Sequence, residues 1–186
     1  MRIDIMTLFP DAVEAMMGSS IIGRARERGF VTIQTHQIRD YTTNKQMQVD
    51  DYPYGGGRGA VMQADPLYRC WQHICDEAGE RVHTIYMSPC GRVLTQQVAR
   101  ELKAQYDRLI LVCGHYEGVD QRFLDECVDE EISLGDFVLT GGVAKNAGIR
   151  RALEQELKQP VLVAQEPQMT GALGAALYAW KYCEKK

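Results

Sequence analysis

An α/β fold with a mostly parallel sheet is predicted by three observations. Residues 109–113 form a short apolar run rich in branched side chains, which suits a strand buried on both faces of a parallel sheet, and Gly114 follows at once. A second strand over residues 137–140 ends in the same way, on Gly141 and Gly142. Ahead of the central run the order is strand (82–87), helix (94–102), strand, with short connections, as in a right-handed βαβ unit. Open sheets of this kind bind ligands beyond the carboxyl ends of their strands, so the two glycine exits predict one shared pocket.

The remaining elements follow in order. Residues 2–9 read as a first strand with Ile3, Ile5, Leu8 and Phe9 apolar, stopped by Pro10, and Asp11 has the character of an N-cap for a helix over 12–17. Residues 31–38 alternate in part and read as a second strand. Residues 39–59 are polar and glycine-rich, which predicts a long functional loop without regular structure. Asp65 and Pro66 open a helix over 64–77 whose Leu67, Cys70, Trp71 and Ile74 recur at core spacing. A polar and aromatic turn, His115 to Gly118, leads into a helix over 119–127. The tail, 143–186, reads as helix, short strand (160–164), loop and final helix.

Composition bounds the function. The chain has 186 residues, 45% of them hydrophobic, enough for one full α/β core. No stretch is long and apolar enough to span a membrane, and an acidic residue at position 4 with Pro10 argues against a signal peptide. Six cysteines without a CxxC pair fit reduced thiols in a cytoplasm. Four histidines without ligand spacing predict no metal site. The net charge of −4 does not suit a stand-alone nucleic-acid binder. Residues 143–186 carry seven Lys and Arg against four Glu, a sum of +3, so residues 1–142 sum to −7.

Two motifs carry chemistry. VCGHYEGVDQR, followed closely by EEISLGDFVLTGG, places glycines and polar groups at strand ends, and VDDYPYGGGRG offers two carboxylates beside three consecutive glycines. Those glycines allow close backbone approach to a planar ligand, and the carboxylates of Asp50 and Asp51 can take protons or hydrogen bonds from its N–H groups. No Gly-Lys-Ser or Gly-Lys-Thr follows, so the loop is not a phosphate cradle. Together with LFP, IGRA, RDY and IYMSPCG, these motifs make residues 1–142 resemble the knotted tRNA (guanine-N1)-methyltransferases. Departures from that pattern are Ala60, where Met is usual, and Cys90, where Gln is frequent.

The resemblance implies a C-terminal trefoil knot holding S-adenosylmethionine, a cytoplasmic homodimer, and methyl transfer to N1 of guanosine 37 in tRNA. By the same resemblance Met87, Ser88, Pro89, Gly114, Tyr116, Gly118, Leu134, Gly135, Asp136, Phe137, Val138, Leu139, Gly141 and Gly142 contact the cofactor. Asp51, Tyr54, Gly55, Gly56 and Gly57 meet the substrate, facing the knot of a partner subunit, and Glu117 and Asp50 are the candidate catalytic groups. After Gly142 the sequence departs from the family. TGGVAKN and EPQMTGALGAA are similar to the C-terminal end of the activator ATPases of 2-hydroxyacyl-CoA dehydratases, as in a chimera joined at Leu139 to Gly142. The family's catalytic Arg would fall near Gln155, and its catalytic Asp and tRNA-gripping domain are replaced, so the resemblance implies cofactor binding with little turnover and weakened tRNA capture. The alternatives are an ATP-binding activator, with Gly141, Gly142 and Asn146 at adenosine, and an inactive cofactor binder.

Overall fold

β1 (Arg2–Thr7) buries Met6 on one face of a sheet and Ile5 on the other, as a strand covered on both faces does. The computed structural model describes residues 1–53, 55–56 and 59–135, and the strand, knot and tail readings beyond 135 lie outside them. After β1 come α1 (Pro10–Met17), α2 (Ser20–Glu27), β2 (Thr32–Gln37), a 3-10 turn (Ile38–Tyr41), β3 (Asp50–Asp51), β4 (Val61–Met62), α3 (Ala64–Ala78), β5 (His83–Val93), α4 (Gln96–Gln105), β6 (Arg108–Val112), α5 (Gln121–Cys127) and β7 (Glu130–Ser133). Among the described residues the main sheet has the order β2-β1-β6-β5-β7, every pair parallel, and β3 and β4 form a small antiparallel ladder.

The central place of β6 follows from its sequence. Ile110 and Val112 join a core with Leu67, Cys70 and Ile74 of α3 and Phe123 and Cys127 of α5, while Leu109 packs with Val98 and Leu102 of α4 on the other face. Helices therefore cover both faces, as an all-parallel sheet requires. α1 packs along β2, where Glu14 accepts hydrogen bonds from Thr35 and Arg26.

Several local expectations are corrected. Pro10 does not merely stop a strand; it opens α1, where its missing N–H costs nothing, and Asp11 lies inside the first turn with Phe9 at the cap. Asp65 likewise sits within α3, behind Gln63, and pairs with Arg69 one turn on. The 39–59 stretch is partly regular, since it contains most of the 3-10 turn and β3, whose partner β4 follows it. β7 is an unexpected strand, because Glu130, Glu131, Ile132 and Ser133 show too little apolar alternation to announce one.

One buried charge ties three strands together. Asp4 is fully buried (0% exposed), and its carboxylate accepts hydrogen bonds from His36 Nε2 of β2 (2.9 Å), Arg108 Nε of β6 (2.8 Å) and Arg2 Nη2 of β1 (3.1 Å). Glu77 of α3 then receives both guanidiniums, at 2.9 Å from Arg2 and 3.3 Å from Arg108. Burial alone would raise the Asp4 pKa, but the hydrogen bonds from His36, Arg108 and Arg2 outweigh it and bring the group down to about 2. A carboxylate depressed in the folded state stabilises the fold fully above its unfolded pKa near 4, and that contribution disappears as pH falls toward 2. Its size is about 2 kcal/mol. Asp4→Ala, which strands the cations as well, should cost about 3 kcal/mol in urea unfolding at pH 7. The gap from the parent chain should narrow steadily from pH 4 to pH 2; a gap of unchanged size at both ends would contradict the assignment.

Candidate functional site

Because β6, β5 and β7 are parallel neighbours, their carboxyl ends lie side by side and their exit loops share one edge of the sheet. β5 does not end at Met87 as expected. Met87 and Arg92 both pair with Ile132 of β7, so residues 88–91 bulge out of a strand that resumes beyond them. Met87 packs into the α4 core, and the buried Ser88 hydroxyl accepts the Cys90 N–H at 3.2 Å. Pro89 and Cys90 are the exposed residues of the bulge. Gly91 makes the bulge possible: a Cβ there would stand 2.4 Å from the Glu131 carbonyl carbon and 2.5 Å from Ile132 N.

The exit of β6 is also closely packed, though against side chains and at longer range. At Gly114 a Cβ would lie 3.0 Å from the Tyr86 ring and 3.2 Å from Val119. Tyr86, which sequence reading passed over, is half-buried, and burial raises its phenol pKa. Tyr116 holds a left-handed backbone (φ 60°), and Gly118 follows at φ 144° with nothing within 4 Å of a Cβ. Beyond β7 the Ser133 hydroxyl accepts the Gly135 N–H at 3.2 Å, Gly135 has φ 124° and open space, and Leu134 is 65% exposed.

The glycine-rich loop is stitched to this edge. Met62 N–H donates to the Gly118 carbonyl (2.9 Å), Asp120 N–H to Met62 (2.9 Å) and Glu117 N–H to Ala60 (3.0 Å). The Glu117 carboxylate accepts the Ala60 N–H at 2.5 Å and lies over Gly59, where a Cβ would come within 2.6 Å of it. Glu117 is thus a clasp on the loop. Asp50 is anchored through its carbonyl, which accepts from Gln48 and Gln63, and its carboxylate has no hydrogen-bond or ion-pair partner among the described residues. Asp51 Oδ1 accepts the Tyr52 N–H at 2.7 Å and lies on the rim of a cleft of about 810 Å³ floored by Val61, Met62 and Val119. Gly55 and Gly56 have positive φ and open space. Tyr54, Gly57, Asp136, Phe137, Val138, Leu139, Gly141, Gly142, Asn146 and Gln155 lie outside the described residues.

These three exits suit S-adenosylmethionine. Gly118 and Gly135 leave open space beside the backbone, and exposed Leu134 offers an apolar shelf to a purine. The described residues hold no group of His, Cys, Asp and Glu able to bind a metal ion, and no described helix is long and apolar enough to cross a membrane.

A family profile described as "tRNA (Guanine-1)-methyltransferase TrmD" matches residues 1–178. The chain belongs to this family. The match passes Leu139 to Gly142 and continues across most of residues 143–186. Among curated relatives, the tRNA (guanine-N(1)-)-methyltransferase of Ruminiclostridium cellulolyticum is 50% identical over 142 residues, and that of Lachnospira eligens is 46% identical over 142 residues. Each alignment covers 76% of this chain and 60% of the relative, so the chain spans about 60% of the length of these proteins. A crystal structure of tRNA (m1G37) methyltransferase from Aquifex aeolicus superposes with a TM-score of 0.66 at 32% identity, covering 90% of this chain and 73% of the other.

The Gly91 contact yields a direct test. Gly91→Ala drives a methyl-sized group into the β7 backbone, which cannot yield like a flexible side chain, and should destabilise the chain by about 2 kcal/mol in urea unfolding. Gly118→Ala meets no neighbour and should cost about 1 kcal/mol through its backbone angle alone. Equal losses in the two variants would show that β5 and β7 are not in close contact at the bulge.

Proposed function

We propose that the chain binds S-adenosylmethionine at the exits of β5, β6 and β7 and transfers its methyl group to N1 of guanosine 37 in tRNA. The observation that carries the reading is the alignment of three glycine-bearing segments, the β5 bulge and the exits of β6 and β7, on one sheet edge, with the loop from Asp50 to Gly59 attached beside them. The cofactor-contact set and the substrate set named from the sequence are part of this proposal. So are a homodimer, in which the loop of one subunit faces the pocket of the other, and a cytoplasmic location.

The bound cofactor supplies an electrophilic methyl on a sulfonium. Methylation of guanine N1 forms one N–C bond, breaks one S–C bond and releases the N1 proton, so a base must take that proton. Glu117 is poorly placed for this, because its carboxylate is spent on the Ala60 amide. Asp50 carries the better claim: its carboxylate is unpaired among the described residues, and its main chain is held by two glutamine side chains. Asp51 then borders the cleft on the substrate side, where a carboxylate can accept hydrogen bonds from a guanine edge.

Calorimetry on the 186-residue chain tests the cofactor reading, with ATP as the contrasting ligand. S-adenosylmethionine and its demethylated product should bind saturably and ATP should give no heat. ATP binding alone would replace this reading with the activator-type one. The same sample should run at homodimer mass in light scattering, a stable monomer being the contrary result. Asp50→Asn should keep cofactor binding and lower methyl incorporation into tRNA by about 10² or more, whereas an unchanged rate would remove Asp50 as the base.

A further inference from the structure

Three described residues other than glycine have positive φ, and one guanidinium reaches two of them. Arg39, in the 3-10 turn after β2, donates from Nη1 to the carbonyl of Met47 (φ 57°) at 3.0 Å and from Nη2 to the hydroxyl of Tyr116 (φ 60°) at 3.3 Å. The left-handed backbone costs an ordinary side chain about 1 kcal/mol or more, and such conformations persist only where surrounding contacts over-determine them. Arg39 is itself fixed, since its N–H donates to Gln37 Oε1 and Ile38 beside it is fully buried. The two residues it grips are 69 positions apart in the chain, one in the loop leading to Asp50 and one in the turn between Gly114 and Gly118. A planar fork with two divergent donors can span such a pair; a lysine ammonium presents a single point.

We infer that Arg39 is a positioning residue that holds the Tyr116 turn in its ligand-ready shape and couples that turn to the loop carrying Asp50. The inference rests on the transferase reading of the edge and adds a residue outside the pocket to it. Arg39 belongs to neither the cofactor set nor the substrate set of that reading. It acts by keeping the Tyr116 hydroxyl, and with it the left-handed turn, in place before the ligand arrives, so its loss should appear as weaker binding, with the global fold intact. Arg39 is partly exposed and outside both hydrophobic clusters, so replacing it leaves the core untouched.

The test is a double-mutant cycle on the full chain, read by calorimetry with S-adenosylmethionine. Arg39→Met should weaken binding about tenfold, the scale of one lost hydrogen bond to a charged donor, while the thermal midpoint stays near that of the parent. Tyr116→Phe should weaken binding to a similar degree, and the double variant no further than either single one. Amide exchange should quicken at residues 45–48 and 115–118 together in Arg39→Met. Equal affinity in parent and Arg39→Met, or losses that simply add in the double variant, would overturn the role of Arg39 while leaving the transferase reading standing. A parent chain that fails to bind S-adenosylmethionine would overturn both.

Discussion

The parallel pairing of β6 with β1 on one side and β5 on the other is the constraint from which the rest follows. A strand buried on both faces can carry chemistry only at its ends, so Leu109, Ile110 and Val112 are core and everything polar gathers after Cys113. Asp4 secures the opposite end of the same strands. Its carboxylate joins residues of β1, β2 and β6, and Glu77 brings α3 into the same network, so register and helix packing are set by one buried charge and its partners. A register slip would carry Arg108 and His36 away from Asp4 and leave the buried carboxylate with Arg2 of its own strand as the one remaining donor of the three, a cost that disfavours the alternative pairings.

At the carboxyl edge the protein relies on backbone more than on side chains. Met87 faces the core, Ser88 is tied to Cys90, and Glu117 is tied to Ala60. What these loops present is peptide groups and glycines together with the exposed residues Pro89, Cys90, Tyr116 and Leu134, suited to a ligand with several hydrogen-bonding edges and an apolar ring. Such a surface must be rigid before binding. The ladder from Ala60 to Asp120, the close approach of Gly91 to β7 and the contact of Tyr86 with Gly114 provide that rigidity. The chain belongs to the tRNA (guanine-1)-methyltransferase family, and among the described residues the geometry explains why those motifs fall where they do.

Much of this was legible in the sequence because period and punctuation agree. The apolar run before Gly114, the α3 spacing of Leu67, Cys70 and Ile74, and the βαβ order all rest on local rules that the packed chain obeys. Less legible were features decided by distant partners. Ser88 and Pro89 resemble a strand end, yet β7 pairs on both sides of the bulge and carries the strand through it. β7 itself, with two glutamates in four residues, reads as polar; Glu130 is satisfied by His83 and Arg92, partners no local pattern discloses. Asp4 looks like a surface residue in an apolar strand until its three donors are assembled from three different strands. Glu117 stood out as an acid at a glycine turn, but only the fold shows its carboxylate occupied by the loop 57 positions away.

The central claim is that one edge of the sheet, and no other region, receives the methyl donor. Backbone amide mapping of the chain by NMR during titration with S-adenosylmethionine addresses it directly. The account predicts shifts concentrated at residues 87–91, 114–118 and 133–135, with little change at the far edge around Arg81, His83 and Tyr106, where another cleft lies. Shifts centred on that far cleft, with the three exits unmoved, would contradict it.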